Sequence, residues 1–151
     1  MNIKKLIKTD RCLFLNSVTK TEAFHEIIEL VEKENLIKDI ENVKKEIFYR
    51  EQIMSTGIGQ GIGIPHIRFG DVTEPQVFIG ISKSGIEDYE SLDSIPVQII
   101  IMIIVGADKH KEYLRTLSLI VGCLKDERNI KKLISAESVN EIEAVFNGDE
   151  S

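Results

Sequence analysis

The chain has 151 residues, 42% of them hydrophobic and 29% charged, with a net charge of −6. That size suits one domain, residues 1–151, with a proper core. The acidic balance and the absence of a basic stripe exclude a broad nucleic-acid footprint.

From the N-terminus, Cys12 to Leu15 reads as a short first strand. Thr19-Lys20-Thr21-Glu22 is a capping-box pattern. The helix it opens carries Phe24, Ile27, Ile28 and Val31 on one stripe. A second helix is expected from Asp39 to Gln52, with Ile40, Val43 and Ile47 inward. Ser55 to Gly61 punctuates the chain. Gly61 to Pro65 then reads as a strand in which Ile58, Ile62 and Ile64 share one parity and the glycines the other. Gln76 to Ser82 alternates as another strand, and Gly85 to Pro96 is acidic and turn-like. Val97 to Val105 is a nearly continuous β-branched run, the mark of a central strand buried on both faces.

Beyond Val105 the pattern is helical. Leu114, Leu117, Val121 and Leu124 form one expected stripe, Asp126 can cap a short helix holding Ile130 and Leu133, and Ser138 with Glu141 opens a last one. The elements predict an α/β domain with a mixed β-sheet flanked by helices. No signal peptide is visible, and the longest apolar run is too short to span a bilayer. Cys12 and Cys123 give no disulfide framework and read as reduced, buried thiols, so a cytoplasmic location without membrane insertion is expected.

Chemistry concentrates between Arg50 and His66, REQIMSTGIGQGIGIPH, where glycines at 57, 59, 61 and 63 precede Pro65-His66. Common nucleotide loops do not fit: G-x-x-x-x-G-K-[ST] is absent, and GIGQGIG is not G-x-G-x-x-G. No H-E-x-x-H, zinc spacing or G-x-S-x-G elbow occurs, so neither a metal nor another cofactor is expected. Of the three histidines, His25 sits mid-helix as a surface residue. His66 stands at the end of the glycine run. A neutral imidazole is a good nucleophile near pH 7. A phosphoryl group added there brings up to about −2 of charge. Arg50 can supply a cation, Ser55 and Thr56 hydroxyls, and Gly57, Gly59 and Gly61 backbone donors. The alternative is a strand-end histidine in a turn, with the glycines kept for packing against a neighbouring helix.

Arg50-Glu51, Ser55-Thr56-Gly57-Ile58-Gly59 and Gly61-Ile62-Gly63-Ile64-Pro65-His66 together resemble the signature of the fructose–mannitol IIA domain of the bacterial phosphotransferase system, a family that includes nitrogen-regulatory IIA proteins. Similar segments continue through Pro75 to Ser82, Gly85-Ile86 to Asp93, Pro96-Val97 and Leu124 to Ser138. The resemblance implies that His66 takes a phosphoryl group from the phosphocarrier HPr and passes it to a IIB domain, with Arg50 facing the phosphate. It implies, as the other possibility, a module whose phosphorylation state switches binding to a regulatory protein. The chain departs from the family at Tyr113-Leu114-Arg115-Thr116-Leu117, where the family pattern is H-L-x-x-L. Either Tyr113 or His110, three residues earlier, can stand in for the second histidine. The missing histidine, and the absence of a fused IIB or IIC segment, favour the regulatory possibility. Of the acidic residues Glu87, Asp88, Glu90 and Asp93, none is expected to be catalytic.

Overall fold

The computed structural model describes residues 3–70 and 72–147. A short helix α1 (Ile3–Leu6) and a 3₁₀ turn (Thr9–Arg11) lead into strand β1 (Cys12–Phe14). Helix α2 (Lys20–Glu34) follows, and Thr19 caps it by accepting from the Glu22 N–H at 3.3 Å. Its stripe of Phe24, Ile27, Ile28 and Val31 is buried, as the periodicity predicts. Helix α3 (Ile40–Ile53) is capped by Asp39, which accepts from the Asn42 N–H, and buries Val43 and Ile47.

The glycine run differs from its expectation. Instead of a break and then one strand, it folds as a hairpin, β2 (Gly57–Gly59) against β3 (Ile62–Gly63). The reversal passes through Gly59, Gln60 and Gly61, whose φ values are +95°, +58° and +78°. This left-handed stretch suits glycine and turns the chain back on itself. Reversal also undoes the shared parity: Ile62 and Ile64 are buried whereas Ile58 faces out. Proline has no N–H to donate to a sheet ladder, and at Pro65 the path along the sheet breaks between β3 and β4 (His66–Arg68).

Strand β5 (Gln76–Ile86) runs four residues beyond the expected Ser82, with an irregularity between Ile81 and Ile86. Strand β6 (Val97–Val105) is central. It pairs antiparallel with β5 and parallel with both β3 and β4. The order β1-β5-β6-β3-β2, with β4 on β6 beyond β3, makes a mixed sheet. Odd-numbered β6 residues Ile99, Ile101, Ile103 and Val105 meet α4 (His110–Leu124), α5 (Glu127–Ser135) and α6 (Val139–Phe146). Even-numbered Ile100, Met102 and Ile104 meet α2 and α3. Both faces are thus covered, which explains the unbroken apolar run.

In α4 the buried stripe is Thr116, Ile120 and Leu124, while Leu114 is 52% exposed. The expected stripe is therefore rotated. Thr116 enters the core because its hydroxyl donates to the Glu112 carbonyl at 2.7 Å, which removes the cost of burying it. Asp126 and Ser138 cap α5 and α6 as predicted. Cys12 is buried and its thiol is pushed up to about 12, chiefly by desolvation; Cys123 is only half-buried. Among the described residues no helix is long and apolar enough to cross a membrane.

Candidate functional site

His66 opens β4, opposite Ile103 of β6, and is half-buried at the rim of the sheet. Its Nδ1 lies 2.6 Å from the carbonyl oxygen of Ile64. A carbonyl only accepts, so Nδ1 carries the proton and Nε2 keeps its lone pair. Burial holds the imidazole below its ordinary value of 6.5, and the Arg50 guanidinium adds to that; the Ile64 carbonyl and Glu51 oppose it. Both geometry and charge therefore favour a neutral ring with a free Nε2.

Arg50 lies on the last turn of α3, where Nη1 donates to the Met54 carbonyl at 2.8 Å. This bond ties the guanidinium to the helix end that faces the histidine. From the opposite side, the Tyr113 ring packs against His66 with centroids 5.6 Å apart. Arg68 lies 5.6 Å over the Tyr113 ring and its Nη1 donates to His110 Nδ1 at 3.3 Å. His110 begins α4, so both candidates for the second position stand on its first turn. Tyr113 packs against His66, and His110 stacks on the Tyr113 ring with centroids 6.5 Å apart.

Arg68 was absent from the expected set, although a signal for it exists. Residues two apart on a strand leave the same face, so a cation at 68 belongs beside a histidine at 66.

The two hydroxyls expected to meet an anion are hydrogen-bonded within the protein, and the side-chain face of the glycines is filled. Thr56 Oγ1 donates to buried Glu51 at 2.7 Å and accepts from Tyr89 Oη at 2.5 Å. Ser55 Oγ donates to the Glu90 carbonyl at 2.5 Å. A Cβ on Gly57 would come within 2.2 Å of that same carbonyl, and one on Gly63 within 2.4 Å of the Tyr89 ring. Gly59 and Gly61 face Asp93 and the Pro96 carbonyl. The bare face of the run thus receives the 87–96 segment rather than a helix. Asp93 fastens the two together by accepting from the Gln60 N–H at 2.7 Å. Its carboxyl is held below the usual range by that bond and by the Ile95 N–H. The task of Asp93 is thus structural, in keeping with the expectation that it is not catalytic. His25 is half-buried against the Phe48 ring, with centroids 5.0 Å apart, and takes no part in the site.

A cavity of about 620 Å³ exists elsewhere, lined by residues such as Arg11, Leu36, Phe69 and Gln76. None of His66, Arg50, Arg68 or Tyr113 lines it. Exposed apolar side chains adjoin Arg50 and Tyr113 along the chain and also stand on the segment that covers the glycine hairpin. Ile53 and Met54 end α3, Leu92 tips the 87–96 segment at 85% exposure, and Leu114 adjoins Tyr113.

The depressed imidazole gives a direct test. NMR titration is expected to place the His66 pKa below 6.5, and Arg50→Gln to raise it part of the way. Because the folded value lies below the unfolded one, the stability this site contributes is fully present above about pH 6.5 and is lost as pH falls through the folded value. A His66 pKa at or above 6.5 in the native protein would contradict this account.

Comparison with known proteins concerns the chain as a whole. The fructose-specific EIIABC component of Bacillus subtilis strain 168 is 35% identical over 135 residues, covering 89% of this chain and 21% of that protein. The chain therefore spans about a fifth of that relative's length. A nitrogen regulatory protein of Escherichia coli K12 is 32% identical over 132 residues, covering 87% of this chain and 80% of that protein. The crystal structure of nitrogen regulatory protein IIA-Ntr from Neisseria meningitidis superposes with a TM-score of 0.85 at 25% identity, covering 95% of this chain and 98% of that one. The Escherichia coli mannitol IIA enzyme, solved in complex with phosphorylated mannitol IIB, shares the fold with a TM-score of 0.75 at 19% identity, covering 94% and 97%. The family model for the phosphoenolpyruvate-dependent sugar phosphotransferase system, EIIA 2, matches residues 6–148. Agreement over so much of the sequence means that this chain belongs to that EIIA 2 family.

Proposed function

We propose that the protein is a phosphoryl carrier that accepts phosphate from HPr on Nε2 of His66 and passes it to a IIB domain. The observation that carries this reading is the fixed Nδ1–H···O=C bond from His66 to Ile64, which leaves Nε2 as the nucleophile beside Arg50. The Nε2 lone pair forms a bond to phosphorus as the phosphorus–nitrogen bond of the donor phosphohistidine breaks. The electron pair of that bond returns to the donor imidazole. His66 keeps its Nδ1 proton throughout, and the Ile64 carbonyl faces the positive charge that the phosphorylated ring acquires. Arg50 offsets charge on the phosphoryl oxygens.

The site suits a macromolecular donor and acceptor, since exposed apolar side chains adjoin Arg50 and Tyr113 along the chain. Incubation with phosphoenolpyruvate, enzyme I and HPr is expected to load one acid-labile, base-stable phosphate, and no loading overturns the reading. In the same assay Leu92→Asp is expected to raise KM for HPr or IIB about tenfold with kcat nearly unchanged. An unchanged KM for both partners removes the 87–96 segment from the docking surface.

A second reading, a nitrogen-regulatory module that binds a regulatory protein in one phosphorylation state, is favoured by Tyr113 at the place of the family's second histidine. Rapid transfer of phosphate to a sugar-specific IIB domain supports carriage. A long-lived phosphoprotein that binds a regulator supports the second reading.

A further inference from the structure

The strand and helix registers bring three side chains around His66 that the glycine signature does not include. His66 and Arg68 leave the same face of β4, opposite Ile103 and Val105 of β6. That face lies beneath α4. His110 and Tyr113, three apart on the first turn of α4, share one side of the helix with ring centroids 6.5 Å apart. Arg68 donates to His110 Nδ1 at 3.3 Å and lies 5.6 Å over the Tyr113 ring, which packs 5.6 Å from His66. Because the arginine can only donate, His110 Nδ1 is an acceptor. Arg68 commits one of its five donors to that bond.

The charge arithmetic points the same way. A phosphoryl group brings up to about −2, and Arg50 supplies a single positive charge. The nearest carboxylate on α3, Glu51, is committed to Lys20 at 2.9 Å. Two arginines, one from α3 and one from β4, match the phosphoryl charge. Both act on the Tyr113 hydroxyl as well: burial raises its pKa, and Arg68 and then Arg50 oppose the rise. The hydroxyl therefore stays protonated near neutral pH and is a donor.

We propose that Arg68 is the second cation of the phosphoryl site and Tyr113 Oη its neutral hydrogen-bond donor, the two together doing what a second imidazole on α4 would do. His110 is a positioning residue that holds Arg68. This inference rests on the reading of His66 as the phosphoryl acceptor. No proton leaves Arg68 or Tyr113 in the transfer; both stabilise charge on the phosphoryl oxygens while phosphorus passes from nitrogen to nitrogen.

The test is steady-state phosphorylation of the full chain by enzyme I and HPr, with kcat and KM for HPr measured separately. Arg68→Gln and Tyr113→Phe are each expected to lower kcat about tenfold with KM unchanged, since they remove interactions made to the moving phosphoryl group. Arg68→Lys is expected to recover part of the loss by restoring the charge. His110→Ala is expected to match Arg68→Gln, and His110→Asn, which keeps an acceptor near the Nδ1 position, to restore kcat. Wild-type kcat in both Arg68→Gln and Tyr113→Phe, with His66 still loading phosphate, overturns the inference and leaves the carrier reading intact. A rise in KM alone assigns these residues to docking and likewise overturns it. A wild-type chain that loads no phosphate overturns both.

Discussion

Replacing His66 by alanine is expected to abolish phosphate loading, lowering the rate from phosphorylated HPr by at least about a thousandfold, the scale of loss when a nucleophile is removed. No other imidazole is placed to substitute. His25 packs on Phe48 on the α2–α3 side of the sheet, and His110 Nδ1 is occupied by Arg68. The fold should tolerate the change, because His66 is half-buried at a strand end and, among the described residues, its ring bonds only to the carbonyl of Ile64, two residues away. Arg50→Gln should fall between this variant and wild type, since it keeps the nucleophile and loses a charge. The check is incorporation of radiolabelled phosphate from phosphoenolpyruvate, with acid and base lability of the product. Loading of the His66→Ala chain at a wild-type rate would place the phosphate elsewhere.

How legible this site was from sequence depends on which interactions were local. Capping boxes at Thr19 and Ser138 and the cap at Asp126 are encoded within three or four residues, and the helices begin where they predict. Strand β6 is equally plain, because burial on both faces demands apolar side chains at nearly every position. The glycine run was legible as special but not as a hairpin. Its reversal depends on a positive φ at Gln60, a residue whose identity does not announce it. What fills the bare face of the glycines is not local either, because the 87–96 segment comes from about thirty residues downstream. In α4, hydropathy chose Leu114 over Thr116, and the hydroxyl that Thr116 buries finds its partner one turn back. Arg68 is legible by parity from His66, yet its partners His110 and Tyr113 arrive from α4, beyond the reach of a local pattern.

Removing the carboxylate of Glu51 is expected to destabilise the protein by about 3 kcal/mol, at the lower end of what breaking a buried ion pair costs. Glu51 is 8% exposed, beside Arg50 on α3, and pairs with Lys20 Nζ of α2 at 2.9 Å. Its two oxygens also accept from the Thr56 N–H at 2.9 Å and the Thr56 hydroxyl at 2.7 Å. A hydroxyl has one proton, so Thr56 donates to Glu51 and Tyr89 Oη donates to Thr56. Lys20 meanwhile lies 4.8 Å over the Tyr89 ring. One carboxylate therefore ties together α2, α3, the glycine hairpin and the segment that covers it. In Glu51→Ala the Lys20 charge and the Thr56 N–H lose their partner together, which is why the effect should exceed that of a surface ion pair. Urea unfolding should show a lower midpoint with an unchanged slope. The double variant Lys20→Met with Glu51→Leu should regain much of the loss, because it leaves no uncompensated charge between the helices. A Glu51→Ala midpoint equal to wild type, or a double variant no better than the single, would show that the carboxylate does not hold these elements together.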